Sequence, residues 1–190
     1  MNKIFVDGKI FEKTNFLNEQ LLTVDYEACI FRNCIFSGSV ISKSNFTDCK
    51  FENCDLSNVK LDGAAIRNVE FNGCKLLGIH FEKCNPILFS AHFQKCNLNF
   101  SSFSKLKLRK LKFNDTSLQE VDFVEADLTE AIFDNCDLSR ALFESTLLEK
   151  TDFRTAYNYS IDPEANRIKK AKFSKEGLVG LLDKYDIEIE

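Results

Sequence analysis

Eight cysteines are the residues of this sequence best suited to chemistry, because thiols can form disulfides, bind zinc or act as nucleophiles. All of them fall on positions set by a five-residue period: Cys29, Cys34, Cys49, Cys54, Cys74, Cys84, Cys96 and Cys136. No Cys-x2-Cys pair occurs, so the usual spacing of a zinc site is missing. The spacing indicates structural thiols that behave as small apolar groups.

The remaining reactive residue types form no recognisable catalytic set. His80 and His92 are the two histidines, and a metal site needs more ligands than these. The sequence shows no nucleophile with a neighbouring base, no paired carboxylates framed by a pocket and no phosphate-binding glycine loop. We therefore predict a protein that is not an enzyme and that uses no cofactor or metal.

The five-residue period fits neither a helix, which repeats about every 3.6 residues, nor a strand, which repeats about every two. From residue 88 to residue 153 every fifth residue is large, and leucine and phenylalanine alternate strictly: Leu88, Phe93, Leu98, Phe103, Leu108, Phe113, Leu118, Phe123, Leu128, Phe133, Leu138, Phe143, Leu148 and Phe153. The residue two positions earlier is usually small or branched. Each pentapeptide thus sends one small and one large side chain inward. The simplest repeating backbone is a square coil of four pentapeptides, with coils stacked at ~4.8 Å.

In such a stack Cys34, Cys54 and Cys74 would form one column, since they are twenty residues apart. A Cα spacing of ~4.8 Å lies within the disulfide range, but parallel Cβ atoms at that spacing are too far apart for an unstrained bridge. We expect these thiols to stay reduced and buried.

Several pentapeptides resemble the A(D/N)LXX repeat of the pentapeptide-repeat proteins. Examples are residues 126–130, 131–135 and 136–140, which read ADLTE, AIFDN and CDLSR. The resemblance covers the chain from about Val6 to Phe153. It implies an all-β fold, the right-handed quadrilateral parallel β-helix of that family. The repeat is a packing rule, so it is specific for the fold and not for the function.

The part from Val6 to Phe81 keeps the same period in a second register, and two extra residues near Asn85-Pro86 separate the registers. We therefore divide the chain into coils at 1–85, coils at 86–158 and a C-terminal cap at 159–190. A hinge that re-aims the second stack is the preferred interpretation of the insertion, and a protruding recognition turn is the alternative.

The residue two positions after each large centre differs between the halves. Before residue 85 it is often Gly or Asn, as at Gly63 and Gly73, which tolerate a positive φ. After residue 85 it is usually charged. We expect type II corners in the first half and mostly another turn class in the second.

Charges separate along the sequence, with bases at 105–112 followed by acids at 115–137. In a twenty-residue coil these become pairs on adjacent rungs: Lys95–Asp115, Lys105–Glu125, Lys107–Asp127, Lys110–Glu130, Glu120–Arg140 and Glu130–Lys150. Each exposed pair contributes only about 0–1 kcal/mol, but together they specify register. The alternative is a partner-binding surface formed by Asp115, Glu120, Asp122 and Glu125.

After Phe153 the pattern ends and a cap is expected. An α-helix at about residues 175–184 would place Leu178, Leu181, Leu182 and Tyr185 on one apolar face. This helix can cover the open end of the stack, where unpaired backbone invites edge pairing. Capping alone and capping within a two-fold homodimer are equal alternatives. Residues 186–190 alternate like a short strand, which could pair with its symmetry mate.

Two functional hypotheses follow. The family resemblance implies a DNA-mimic modulator of a type II topoisomerase, DNA gyrase above all, linked to quinolone resistance. The other is a structural scaffold with an unidentified protein partner. A rod of ~36 Å corresponds to a DNA duplex with about twenty negative charges. The chain has a net charge of −4, so it copies DNA poorly unless its acids gather on one side.

Other partner classes are disfavoured. Nucleic-acid binding would require a basic surface. The basic residues at 105–112 lie beside acidic residues of the next coil, and the chain is acidic overall. No apolar run is long enough to span a membrane, and the first residues lead into no signal-peptide core. We predict a cytoplasmic protein.

Overall fold

The computed structural model describes residues 4–17 and 23–188, apart from the side chain of Leu88. Within this part the backbone forms eleven short strands, all paired in parallel. They are β1 (Ile4–Asp7), β2 (Ile10–Glu12), β3 (Val24–Glu27), β4 (Ile30–Arg32), β5 (Asn45–Thr47), β6 (Lys50–Glu52), β7 (Ala65–Arg67), β8 (Val69–Asn72), β9 (Ala91–Gln94), β10 (Lys112–Asn114) and β11 (Ile132–Asp134). Paired residues lie one coil apart, as Phe11 and Phe31 do.

The coils have four sides. Strands β1, β3, β5 and β7 form the first side, and β2, β4, β6, β8, β9, β10 and β11 form the second. Isolated backbone bridges hold the third side, from Asn15 to Tyr157, and the fourth side, which includes Val40 and Leu142. This architecture confirms the predicted right-handed quadrilateral parallel β-helix.

Large and small apolar side chains fill the interior as the period predicts, and rings and thiols are prominent among them. Phe113 is fully buried, and its ring stacks on those of Phe93 and Phe133 with centroids 5.4 Å and 5.1 Å away. All eight cysteines are free and buried, which confirms the expected reduced thiols. Seven of the sulfurs, all except that of Cys84, donate to backbone carbonyls of their own coil and of the preceding one, as Cys54 Sγ does to Phe31 O at 3.3 Å. The core is therefore a continuous packed column.

The corners differ from the prediction. Positive φ occurs at Gly63 and Gly73, as expected, but also at Lys105 (62°) and Glu125 (58°) in the second half. The expected change at this slot after residue 85 is therefore wrong. The amides of most corner residues donate to the next coil, as Lys105 N does to Val124 O at 3.0 Å. Stacking holds the left-handed corner although charged residues disfavour it.

The two-residue insertion lies on the first side. A 3-10 helix, Pro86–Leu88, follows Asn85, whose side chain accepts a hydrogen bond from Ile87 N at 3.1 Å. Ile87 projects outward and is 82% exposed. The second side continues past the insertion, because β8 pairs with β9 from residue 69 to residue 72. The division of the chain at residue 85 stays a prediction, as does a hinge there.

The predicted α-helix at 175–184 is wrong in type. Two 3-10 helices form instead, Glu176–Leu181 and Asp183–Tyr185. Glycine is a poor α-helix former, and two glycines here pack directly on Tyr159. A Cβ at Gly177 or Gly180 would lie 2.0 Å from an atom of Tyr159. The tight contact requires a backbone without side chains at these positions.

Some expectations fall partly outside the described residues. Leu21, an expected inward residue, and Ile189 and Glu190 of the expected terminal strand lie there, as does the side chain of Leu88. Residues 186–188 are described and are not in a strand, so the strand prediction is wrong for them.

The first prediction tests the ring column. Phe113→Ala should lower the free energy of unfolding by about 3–5 kcal/mol, because it leaves a cavity between two stacked rings. Phe100→Ala is the matched control, since Phe100 is 59% exposed, and it should change stability by no more than about 0.5 kcal/mol. Equilibrium urea unfolding measures both. Equal losses in the two variants would contradict the stacking of the Phe113 ring between two others.

Candidate interaction surfaces

The filled interior leaves the outward residues of the four sides, the corners and the C-terminal segment as candidate functional surfaces. On each side the residues immediately before and after the large centre face out. The corner residue, two positions after the centre, faces out between two sides. Residues that are close in sequence therefore point in different directions, whereas residues one coil apart stand beside one another.

The structure does not gather the four predicted acids into one patch. Asp115 lies at the corner between the second and third sides, and Glu120 lies between the third and fourth. Asp122 belongs to the bridged column of the fourth side. Glu125 lies at the corner between the fourth and first sides, diagonally opposite Asp115. One coil carries all four residues, but they face different directions.

Three of these acids are engaged by a neighbouring coil through a corner partner. Asp115 accepts a hydrogen bond from Asn135 Nδ2 at 2.8 Å. Glu120 pairs with Arg140, and Glu125 lies 3.7 Å from Lys105 Nζ. Asp115 thus has a hydrogen-bond partner within the protein, and Glu120 and Glu125 have cationic partners there.

The predicted ladder of cross-coil pairs forms in four of six cases. These are Lys105–Glu125, Lys110–Glu130, Glu120–Arg140 and Glu130–Lys150. Asp127 pairs with Arg109 at 3.7 Å and not with Lys107. Asp115 takes its hydrogen bond from Asn135 and forms no ion pair with Lys95. All four pairs are substantially exposed, so each contributes little to stability.

The third side carries a network of uncharged side chains around Asp137. Ser139 Oγ and Gln119 Nε2 donate to its carboxylate at 2.6 Å and 2.7 Å, and Asn158 Nδ2 donates at 3.0 Å. Partial burial opposes ionisation of Asp137, but these hydrogen bonds outweigh it and lower the pKa of the carboxyl group below its ordinary value. The network fixes side-chain positions across three coils.

The predicted apolar face of the C-terminal segment is split in the structure. Leu181 packs against the core, whereas Leu178, Leu182 and Tyr185 are 47%, 36% and 50% exposed. Val179, which the sequence argument left out, is 48% exposed beside them. The segment therefore covers the last coil with one residue and presents an apolar surface with the others.

Lys184 fastens this segment to the last coil. Its Nζ lies 2.7 Å from Asp162 Oδ1 and 2.6 Å from Glu164 Oε2, and Tyr185 OH donates to Glu164 at 3.2 Å. The hydrogen bond from Lys184 is the main cause that lowers the pKa values of both carboxyl groups, and the same contacts raise the pKa of Lys184.

Three of the eight thiols are clearly unsuited to nucleophilic chemistry. Burial raises the pKa values of Cys49, Cys84 and Cys136 to about 12. A thiol must ionise to act as a nucleophile or metal ligand, so these groups stay protonated at neutral pH. Among the described residues no group of three or more His, Cys, Asp or Glu side chains could hold a metal ion. Across residues 4–17 and 23–188, no helix has the length and apolar character needed to cross a membrane.

Phe100 is a surface residue that the sequence argument missed. It occupies the corner between the third and fourth sides with a φ of 63°, and it is 59% exposed. A bulky residue in this conformation is unusual and costs stability. The period itself carries the signal, because Phe100 lies two positions after Leu98, in the slot that holds Gly78 one coil below.

Comparison with known proteins gives a family match. The sequence model of the family described as "Pentapeptide repeat region" matches residues 9–81, 44–123 and 79–153. Comparison with curated proteins gives no match.

Solved structures of pentapeptide-repeat and resistance proteins align along most of the chain. A trypsin-treated form of QnrB1, a plasmid-mediated fluoroquinolone resistance protein, is 20% identical with a TM-score of 0.48, over 99% of this chain and 98% of that chain. Full-length QnrB1 is 18% identical with a TM-score of 0.43, over 96% and 100%. HetL from the cyanobacterium Nostoc sp. strain PCC 7120, involved in regulation of heterocyst differentiation, is 16% identical with a TM-score of 0.42, over 90% and 86%.

The second prediction concerns the Lys184 contacts. Lys184→Met should lower the thermal midpoint at pH 7, because it removes the ion pairs of Lys184 with Asp162 and Glu164. Asp162 and Glu164 have pKa values below their ordinary 3.8 and 4.5, so their stabilising contribution is present above those values and is lost as the pH falls below them. The difference between the wild type and the variant should therefore shrink as both carboxylates become protonated.

Lys175→Met is the matched control, since Lys175 precedes the same segment and takes part in no ion pair among the described residues. It should leave the midpoint unchanged. A difference for Lys184→Met that is as large at about pH 2 as at pH 7 would contradict the ion-pair explanation.

Proposed function

Because the chain belongs to the pentapeptide-repeat family, we propose that it is a non-enzymatic protein whose outer sides bind another protein. The observation that carries this proposal is the filled interior, where aromatic, aliphatic and cysteine side chains occupy the cross-section of the coils. Backbone hydrogen bonds join each coil to the next and give the sides a fixed spacing of outward residues. Such sides are preorganised, so binding costs little conformational entropy.

The proposed partner is DNA gyrase, with an effect on quinolone susceptibility, and the family resemblance supports it. The structure suggests how such binding would work. Acids that are paired within the ladder cannot present the dense negative charge of a duplex. Contact through uncharged and apolar outward residues is therefore the mode we propose, with a scaffold for another protein partner as the alternative function.

The proposed location is the cytoplasm. Eight free, buried thiols support it, since a reducing compartment keeps cysteines unpaired.

The third prediction tests the gyrase proposal. The protein at micromolar concentration should inhibit supercoiling by purified gyrase or protect that activity against a fluoroquinolone. A variant in which Asp115, Glu120, Asp122 and Glu125 are all changed to their amides should keep the effect, because these carboxylates face different directions. If the wild-type protein has no effect, gyrase is excluded as the partner and the scaffold function remains. Loss of the effect in the amide variant would instead support charge mimicry.

We also propose that a second copy binds at the C-terminal segment. The exposed Leu178, Val179, Leu182 and Tyr185 support this interaction, because an apolar surface of this kind gains free energy when it is removed from water.

The fourth prediction follows from the split of that segment. Leu182→Asp should shift the mass measured by light scattering from dimer to monomer at micromolar concentration, and it should lower the thermal midpoint only by the small amount that dimerisation contributes. Leu181→Asp should lower the midpoint more, because Leu181 packs against the core. Ile35→Asp on the third side is the control and should change neither. A monomeric wild-type mass at that concentration would refute the dimer.

A further inference from the structure

A column of outward residues runs along the fourth side over six consecutive coils. Its members each precede a large inward centre: Val40, Lys60, His80, Ser102, Asp122 and Leu142. Backbone bridges join neighbours at most steps of this column, including Val40 to Lys60 and Asp122 to Leu142. Lys60 and His80 are not joined by such a bridge. Their coils are joined nearby by the hydrogen bond from Gly63 N to Lys83 O at 2.8 Å.

This column is complementary to itself when it is read from its two ends. The outermost residues, Val40 and Leu142, are both apolar and are 42% and 56% exposed. The next residues inward, Lys60 and Asp122, have opposite charges. The two central residues are both polar. A surface with this symmetry matches a second copy of itself in the reversed direction.

Neither of the two charges in the column forms an ion pair with another described residue. Lys60 is exposed and makes no ion pair with any residue in the described ranges. Asp122 accepts hydrogen bonds from Val124 N at 2.8 Å and Ser102 Oγ at 3.4 Å, but it has no cationic partner there. Three coils separate the two charges, which is about 14 Å, so they cannot pair in one molecule. Acids at the nearby corners are paired in the ladder.

We propose that two copies of this chain pack fourth side against fourth side, in opposite directions. The two-fold axis lies in the interface, parallel to the strands, between the coils of His80 and Ser102. This operation places Val40 against Leu142, and Lys60 against Asp122, of the other copy. His80 Nδ1 lies 2.9 Å from Glu82, which leaves Nε2 for the opposite Ser102. Every contact occurs twice, as in isologous interfaces generally.

The same operation accounts for Phe100. It brings Phe100 at the corner of one copy to Gly78 of the other, which has no side chain of its own and lies beside the side chain of Asn58. The exposed ring, which costs stability in the isolated chain, is thereby removed from water. Aromatic residues are common anchors of protein interfaces.

The remaining outward positions are compatible with this packing. The residues that follow each large centre form a second column on the fourth side. Between the two copies this column brings together uncharged and acidic residues: Ser42 with Glu144, Asp62 with Val124, and Glu82 with Ser104. One like-charged contact occurs, Lys83 opposite Lys105 at the corner. Lys105 is already paired with Glu125 and its side chain is 70% exposed, so the repulsion is largely screened.

The interface is small. Six coils give a contact about 29 Å long and one side wide, at the lower end of the sizes of specific interfaces. Dimerisation is therefore expected to depend on concentration over the range from about 10 μM to about 1 mM.

A charge exchange tests the proposal. All proteins carry Leu182→Asp, so that the C-terminal segment does not contribute, and sedimentation equilibrium measures dimerisation. Lys60→Glu and Asp122→Lys should each weaken the dimer about tenfold or more, because each creates two like-charged contacts. The double variant should restore dimerisation to within about threefold of the parent, since opposite charges face each other again.

Two further variants test the apolar contact. Leu142→Glu should weaken the dimer, whereas Ile35→Glu, at a comparably exposed residue of the third side, should not. Far-ultraviolet circular dichroism checks that every variant is folded. A parent that stays monomeric at about 1 mM, or a double variant no better than the single ones, would overturn the proposal. The assay uses this protein alone, so failure here leaves the proposed binding of another protein unaffected.

Discussion

The structure depends on the agreement of two distances. Parallel backbones joined by hydrogen bonds lie ~4.8 Å apart, and aromatic rings stack with their centroids at nearly the same separation. Along the second side the centroids of successive rings are 4.7 Å to 5.4 Å apart, from Phe31 through Phe51, Phe71, Phe93, Phe113 and Phe133 to Phe153. Each ring can therefore keep the same rotamer in every coil. A smaller residue would leave a gap that the fixed backbone spacing cannot close, since each coil is bonded to both neighbours.

This constraint divides the residues of each pentapeptide into two groups. The inward residues must fit the column, so their types repeat with the period. The outward residues must only avoid conflict with the coil above and below, so they vary. Asp137, with its three side-chain donors, and Lys184, with its two carboxylates, show how outward residues still form local structures. The outward residues are therefore the part of the chain that can change without disturbing the column.

The part of the structure that is repeated could be predicted from the sequence. The period identified the inward residues, the twenty-residue coil and the reduced thiols, because each of these follows from the packing of one pentapeptide on the next. The turn prediction, which rested on the preference of each residue type for positive φ, was wrong where the stacking of coils opposed that preference. Lys105 and Glu125 adopt positive φ because their amides must reach the next coil. The helix prediction failed for a different reason, since periodicity ignored the contact of Gly177 and Gly180 with Tyr159.

The candidate site was harder to predict because neighbours in sequence are not neighbours in space. Asp115, Glu120, Asp122 and Glu125 form a run of acids when the chain is read linearly, yet the coil distributes them over three corners and one side. A column read at intervals of one coil is the correct unit for this fold. In such a column, charge balance distinguishes two kinds of surface. Where a base stands above an acid, as with Lys105 and Glu125, the pair is complete and offers little to a partner. Where opposite charges stand three coils apart, as with Lys60 and Asp122, only another molecule can bring them together.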